Sequence, residues 1–255
     1  MVKGYRNPSD YFDLFRNSLQ VKKDSHVWFR NKVVTVFDDH DQISKGNNKA
    51  RFCAGDEEWK KLVLNILALN ATTLGIPCIY YGTEQCFDGA GGNDRYIREA
   101  MFGGKFGAFR SCDRHFFDED SPVYKELAKI LSIRNKNENM ILRRGRQYLR
   151  EISGDGQNFG LPHMIGTEMR SIVPWSRILN DEEMLLAINT DYNNPQIAWI
   201  IVDHDLHKDG DLLKCLYSTD VNQIGHTVTI NKLKEDMNVV QLTVPTAGFV
   251  IYEAM

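Results

Sequence analysis

Apolar residues along this chain change their spacing near Arg143, from the period of a helix before it to that of a strand after it. In Asp10–Leu19, Tyr11, Phe12, Leu14, Phe15 and Leu19 fall mostly on one helical face, with Ser9 or Asp10 as N-cap. The short β-branched run Lys32–Phe37 predicts a strand, and a polar, glycine-bearing loop follows it to Asp56. Within Glu57–Leu74, Leu62, Ile66 and Leu69 recur at i, i+4 and i+7, and Gly75-Ile76-Pro77 stops that helix. Cys78–Tyr81 is apolar at every position, the pattern of a parallel strand covered on both faces. Together these segments make one βαβ unit. A long loop rich in glycine and aromatics, Gly82–Asp120, precedes a helix over Pro122–Asn135, capped by Ser121 with proline at its first position.

Beyond Arg143 the runs Gln147–Ile152, Ser171–Ile178, Met184–Asn189, Ile197–Val202, Leu212–Tyr217, His226–Ile230, Val239–Val244 and Phe249–Tyr252 are short and β-rich. Clusters of Gly, Asn, Asp and Pro separate them. Strands so closely spaced predict an antiparallel sandwich.

At 255 residues, 42% apolar and 25% charged, the composition is that of a folded protein with room for two modest domains. A formal charge of −3 and a pI near 6.2 give no electrostatic reason to expect nucleic acid or an anionic membrane as partner, and suit a neutral substrate. Neither Met1–Pro8 nor any later run has the apolar length of a signal peptide or of a span of about 20 residues, so a cytoplasmic location is expected. The five cysteines are odd in number and none are spaced C-x-x-C, which predicts reduced thiols.

The chemistry concentrates after the two strands of the βαβ unit. Val36-Phe37-Asp38-Asp39-His40-Asp41 ends the first, and Gly75-Ile76-Pro77-Cys78-Ile79-Tyr80-Tyr81-Gly82-Thr83-Glu84-Gln85 spans the second. Gly91-Gly92-Asn93-Asp94 and Arg98-Glu99-Ala100 come next. The C-terminal end of a parallel strand is where (β/α) barrels place catalytic groups. A His-Asp dipeptide alone has almost no specificity. In this order and spacing, however, the three segments resemble the α-amylase family (glycoside hydrolase family 13), with its F-V-x-N-H-D, eighth-strand and G-G-x-D-P-x-x-R-E-A segments.

The resemblance covers residues 32–104 and continues into a helix and a β-rich tail. It implies an α/β fold: the last two strand–helix units of a TIM-type (β/α) barrel in residues 1–142, then an all-β antiparallel sandwich in 143–255. It makes Asp41 the third carboxylate of the family's site, which binds sugar hydroxyls and favours the oxocarbenium-like transition state. Hydrogen bonds to ring hydroxyls that strengthen in that state contribute several kcal/mol. His40 would donate to a hydroxyl of the sugar being cleaved, while Asp94 and Arg98 would hold the neighbouring sugar, Arg98's fork orienting Asp94. Glu84 is expected to organise its loop.

Two positions depart from the family. Asp39 replaces the usual asparagine, and like charges in one site raise the pKa of one member. Arg95 stands where proline is usual, so the turn carrying Asp94 and Arg98 is expected to differ in shape. No glutamate precedes Glu57, although the family draws its acid/base glutamate and nucleophilic aspartate from earlier strands. The chain thus reads as part of a retaining hydrolase of α-1,4-glucans (starch, glycogen, maltooligosaccharides), inactive alone. The alternatives are a non-catalytic glucan-binding or assembly module and a related transglycosylase or isomerase. The partner expected is the α-glucan itself, with self-association through the free strand edges. Calcium in the family is held largely by a domain inserted earlier in the barrel, so no cofactor or metal is assigned here.

Other segments carry less. Gly103-Gly104-Lys105-Phe106-Gly107 lacks the Lys-Ser/Thr ending of a phosphate loop. Asp203-His204-Asp205-Leu206-His207 and Asp209-Gly210-Asp211 lack the order of a calcium loop and read as a polar connection. Phe102, Phe106, Phe109, Phe116 and Phe117 read as loop packing, with stacking on sugar rings as the alternative.

Overall fold

A computed structural model describes residues 1–16, 25–101, 117–136 and 140–255. The chain forms two compact units. One comprises Met1–Val33, Thr72–Ile76 and Ile133–Met255, the other Val34–Ala71 and Pro77–Ser132. The expected loop segment Gly103–Gly107, with Phe102, Phe106, Phe109, Phe116 and Cys112, lies outside the described residues.

The larger unit is a nine-stranded antiparallel sheet. Its strands are β5 (Arg146–Leu149), β6 (Ile152–Ser153), β7 (Ile172–Leu179), β8 (Glu182–Asn189), β9 (Gln196–Val202), β10 (Leu212–Ser218), β11 (Thr227–Lys234), β12 (Met237–Val244) and β13 (Phe249–Ala254), in the order 5-7-8-13-10-11-12-9-6. All eight strands read from the sequence are present, and β6 is an added edge. The sheet curls so that alternate residues from both halves share one core: Leu185 and Ala187, Val250 and Tyr252, Ala198 and Ile200, Val240 and Leu242. The opposite face of β7 and β13 is buried too. Trp175 and Phe249 stack there with ring centroids 6.0 Å apart, and Phe12 of α1 (Pro8–Phe12) reaches Trp175 at 6.0 Å. The predicted helix at Asp10–Leu19 is therefore earlier and shorter, with Asn7 at its cap and Pro8 at its start, and a 3₁₀ turn follows at Asp13–Arg16. A second helix, α2 (Ser25–Lys32), was not signalled by the sequence pattern.

The smaller unit begins with β1 (Val34–Thr35), which pairs with β3 (Ile76–Pro77), the strand within which the chain re-enters this unit at Pro77. Hydrogen bonds from Ile76 N to Val33 O and from Cys78 N to Thr35 O climb in the same direction, so the pairing is parallel. Between the strands run α3 (Glu57–Lys61) and α4 (Val63–Thr72), one predicted helix interrupted at Leu62. α4 is buried on every side, and its Asn70 ties β1 to the residue just after β3, accepting from the Thr35 hydroxyl at 2.7 Å and donating to Cys78 O at 2.9 Å. The all-apolar run Cys78–Tyr81, predicted as a strand covered on both faces, is not a strand: the pairing with β1 falls earlier, at Ile76–Pro77, and Cys78 and Tyr81 are exposed. Nor are the paired residues covered on both faces. Val34 (59% exposed), Val36 (42%) and Ile76 (43%) face outward. α5 (Pro122–Asn135) has the predicted bounds, and α6 (Ile141–Arg144) leads into β5. No helix among the described residues is long and apolar enough to cross a membrane.

Candidate functional site

The loop after β1 and the loop after β3 meet within the smaller unit. Arg98 joins them: its Nε donates to His40 O at 2.8 Å, and its Nη2 lies 3.5 Å from Asp41 Oδ1 and 3.6 Å from Asp94 Oδ2. The four residues singled out in the sequence thus stand together. His40 is exposed, with its ring 6.5 Å from that of Tyr80, and Asp41 keeps 43% of its side chain exposed.

Each loop is shaped by its own residues. Asp39 Oδ1 accepts the backbone N–H groups of Asp41 (2.7 Å) and Gln42 (2.6 Å), a side-chain-closed turn. Burial pushes the Asp39 carboxyl up, but these two N–H groups and the charges of His40 and Lys45 outweigh it and hold the group below the usual carboxylate range. The raised pKa expected from two adjacent carboxylates therefore does not arise at Asp39, whose charge is spent on the turn. Asp38 behaves oppositely: it is 4% exposed, and burial pushes its carboxyl up against the opposing Arg51 charge. Asp38 accepts from Phe52 N (2.8 Å) and the Thr83 hydroxyl (3.0 Å), tying the two loops at their base.

Arg95, in the place of proline, is the second residue of a 3₁₀ turn over Asp94–Ile97, capped by the Asn93 side chain accepting from Arg95 N at 3.1 Å. The Asp94 carboxyl is held below the usual range, first by its hydrogen bond to Lys49, whose Nζ lies 3.0 Å from Oδ1, and then by the charges of Lys49 and Arg98. Beneath lies Arg51. Its Nε and Nη2 both reach Glu99 Oε2 at 3.0 Å, with both side chains fully buried. Its guanidinium lies over the rings of Tyr80 (4.2 Å) and Tyr81 (5.2 Å) and donates to Tyr81 O at 2.9 Å. Tyr80 and Tyr81 hydroxyls donate to Ile97 O (3.0 Å) and Glu99 O (2.8 Å). Gly89 must be glycine. A side chain there would sit 1.9 Å from Tyr96 O, and its N–H donates to Glu99 Oε1 at 2.7 Å.

Lys49, Arg51 and Asp38 were not singled out in the sequence. Glu84 is buried in the 3₁₀ turn Thr83–Gln85, between Thr83, which donates to Asp38, and Gln85, which donates to Asp118 O at 3.1 Å. Phe117 packs edge-on against Tyr124 at 4.9 Å. In the larger unit, the connection 203–211 contributes one buried group, His207, whose Nε2 meets Glu183 Oε2 at 2.8 Å. No group of three or more His, Cys, Asp or Glu side chains among the described residues is arranged to hold a metal ion.

Chemically, the exposed imidazole of His40 and the open side of Asp41 present a donor and an acceptor to a neutral polyol. Asp94 faces Lys49 and Arg98 with its two oxygens, so it organises as much as it offers contact.

No protein-family model matches the chain. An α-amylase of Streptomyces lividans is 32% identical over 93 residues, 33% of this chain and 10% of that protein. Among solved structures, α-amylase from Geobacillus thermoleovorans, complexed with acarbose, covers 100% of this chain with a TM-score of 0.60 at 17% identity. γ-CGTase from the alkalophilic Bacillus clarkii covers 97% (TM-score 0.59, 19% identity), and a debranching enzyme of Nostoc punctiforme 96% (TM-score 0.56, 19% identity). The chain spans 44%, 29% and 39% of those three. It resembles the C-terminal part of glycoside hydrolase family 13 enzymes, a partial barrel followed by a β domain.

Proposed function

Since this chain has the fold of the C-terminal part of α-amylase-type enzymes, we propose that it is that portion of a glycoside hydrolase acting on α-1,4-glucans by a retaining mechanism. Asp41 and His40 take hydroxyls of the sugar at the scissile bond, and Arg98 and Asp94 hold the neighbouring sugar. The observation that carries this reading is Arg98, which binds the backbone of His40 and faces the carboxylates of both Asp41 and Asp94. A retaining hydrolase needs a nucleophile and an acid/base, two carboxyl groups about 5 Å apart across the bond. Here the carboxylates beside Asp41 are Asp39, held by two backbone N–H groups of its own turn, and Asp94, already facing two cations, so the chain alone binds without cleaving. The functional division falls at residue 142, with glucan contacts confined to 1–142.

Calorimetric titration with maltoheptaose tests this. Heat is expected at millimolar sugar, lost in Asp41→Ala, with no shorter oligosaccharides formed. No heat in the unaltered chain removes the glucan reading, and cleavage that Asp41→Asn abolishes contradicts the assignment of chemistry to other segments.

The exposed Val34 and Val36, on and just past the short strand β1 of the smaller unit, support self-association, because parallel strands are stable when covered on both faces and free edges recruit further strands. Sedimentation velocity is expected to show dimers or larger species at micromolar chain, reduced by Val34→Lys with Val36→Lys. A single monomeric boundary for the unaltered chain rules this out.

A further inference from the structure

Lysine is almost never buried unless paired, yet Lys49 is 8% exposed in a stretch that reads as polar loop. An ammonium has three donors and no acceptor. Here three acceptors surround it: Asp41 O, Gln42 O at 2.9 Å and Asp94 Oδ1 at 3.0 Å. The backbone around these contacts is equally constrained. Gln42 is left-handed at φ +39°, and its side chain brackets Ala50, donating to Ala50 O at 2.7 Å and accepting from Ala50 N at 3.0 Å. Two successive carbonyls, 41 and 42, thereby turn toward one cation. On the other side β2 (Lys49–Ala50) pairs antiparallel with β4 (Ala90–Gly91), with Lys49 opposite Gly91, three residues before Asp94.

We infer that Lys49, which belongs to none of the segments carrying the family resemblance, is the positioning residue that couples Asp41 to Asp94 and so sets the glucan-binding geometry. This rests on the glucan reading above. Two cations, Lys49 and Arg98, balance the carboxylates of Asp41 and Asp94. With Lys49 in place, Asp94 Oδ1 is occupied and Arg98 can keep its Nε on His40 O. Without it, Asp94 is the stronger attraction for Arg98, the guanidinium leaves His40 and Asp41, and the left-handed turn at Gln42 loses the cation holding its carbonyls. The geometry of Asp41 then depends on a residue that touches no sugar.

The test uses the full chain as Lys49→Met, with Lys49→Arg to retain a cation should the methionine variant fold poorly, and Lys45→Met as a control that removes a neighbouring cation. Carbon-13 NMR follows the Asp94 carboxyl against pH, proton NMR follows the Arg98 Nε–H, and maltoheptaose affinity is measured alongside. In Lys49→Met the Asp94 midpoint is expected to rise, the Arg98 Nε–H to lose its protected signal, and affinity to fall roughly tenfold or more, the scale of a misplaced binding group. Lys49→Arg is expected to keep Asp94 low and lose less affinity; Lys45→Met is expected to match the unaltered chain at Asp94 and Arg98. An unmoved Asp94 midpoint in Lys49→Met, or an unmoved Arg98 signal, overturns the proposal, as does affinity within about twofold of the unaltered chain. Should the unaltered chain show no response to sugar, the glucan reading fails, and the coupling is decided by the Asp94 and Arg98 signals.

Discussion

Replacing Arg51 with methionine is expected to destabilise the unit that carries the site by about 3–5 kcal/mol, the cost of stranding one member of a buried ion pair. Glu99 is fully buried, and its Oε2 takes both Nε and Nη2 of Arg51 at 3.0 Å. Among the described residues, the remaining oxygen accepts from the Gly89 N–H at 2.7 Å, too little to hold a buried charge alone. The guanidinium also fills the space over Tyr80 and Tyr81, so packing is lost along with charge. Urea unfolding followed by intrinsic fluorescence measures the effect. The double variant Arg51→Met with Glu99→Leu should recover most of the loss, because removing both charges together removes the desolvation penalty. A loss below about 1 kcal/mol in the single variant would mean the pair contributes no more than a surface bridge.

The second large effect is acid sensitivity in the β-sheet unit. Burial pushes the Glu183 carboxyl up, but His207 Nε2 (2.8 Å), Arg150 Nη2 (2.7 Å), the Ser176 hydroxyl and Asp203 N (3.0 Å) together bring it down to about 2. A carboxyl lowered on folding binds fewer protons in the folded chain than in the unfolded one. Its stabilisation is therefore complete above the ordinary value of 4.5 and is lost as pH falls through about 2. At about 1.4 kcal/mol per pH unit that window corresponds to roughly 3 kcal/mol. Thermal melting from pH 6 to pH 2 should show the unaltered chain losing this margin, whereas Glu183→Gln starts about 3 kcal/mol lower and loses little more. Parallel acid profiles for the two proteins would assign the sensitivity to other groups.

Much of this was legible in the sequence because it is local. Ser121-Pro122 marks the start of α5, the β-rich runs after Arg143 announce all eight of the longer strands, and His40, Asp41, Asp94 and Arg98 sit in short segments with recognisable spacing. What could not be read depends on partners distant in the chain. Lys49 in Asn47-Asn48-Lys49 resembles any solvated loop lysine until Asp94, 45 positions on, closes over it. The Arg51–Glu99 pair spans a similar distance. α2 was missed because Trp28 and Phe29 are adjacent among polar residues, leaving little helical period to detect. The openness of Val34, Val36 and Ile76 was hidden for a related reason: an apolar run shows that a strand needs cover, whereas the presence of that cover is decided elsewhere. Asp39 is instructive in another way. Its place beside Asp41 suggested repulsion, yet the turn redirects its charge onto two backbone N–H groups.

On the proposed function, the loops at 36–41 and 91–98 form one glucan-contacting surface. Titrating nitrogen-15-labelled chain with maltoheptaose, and following backbone amides and the His40 imidazole by NMR, tests it most directly. Shifts concentrated at His40, Asp41, Asp94 and Arg98, saturating together and vanishing in Asp41→Ala, are the predicted result. Shifts confined to residues beyond 142, or none at millimolar sugar, would contradict it.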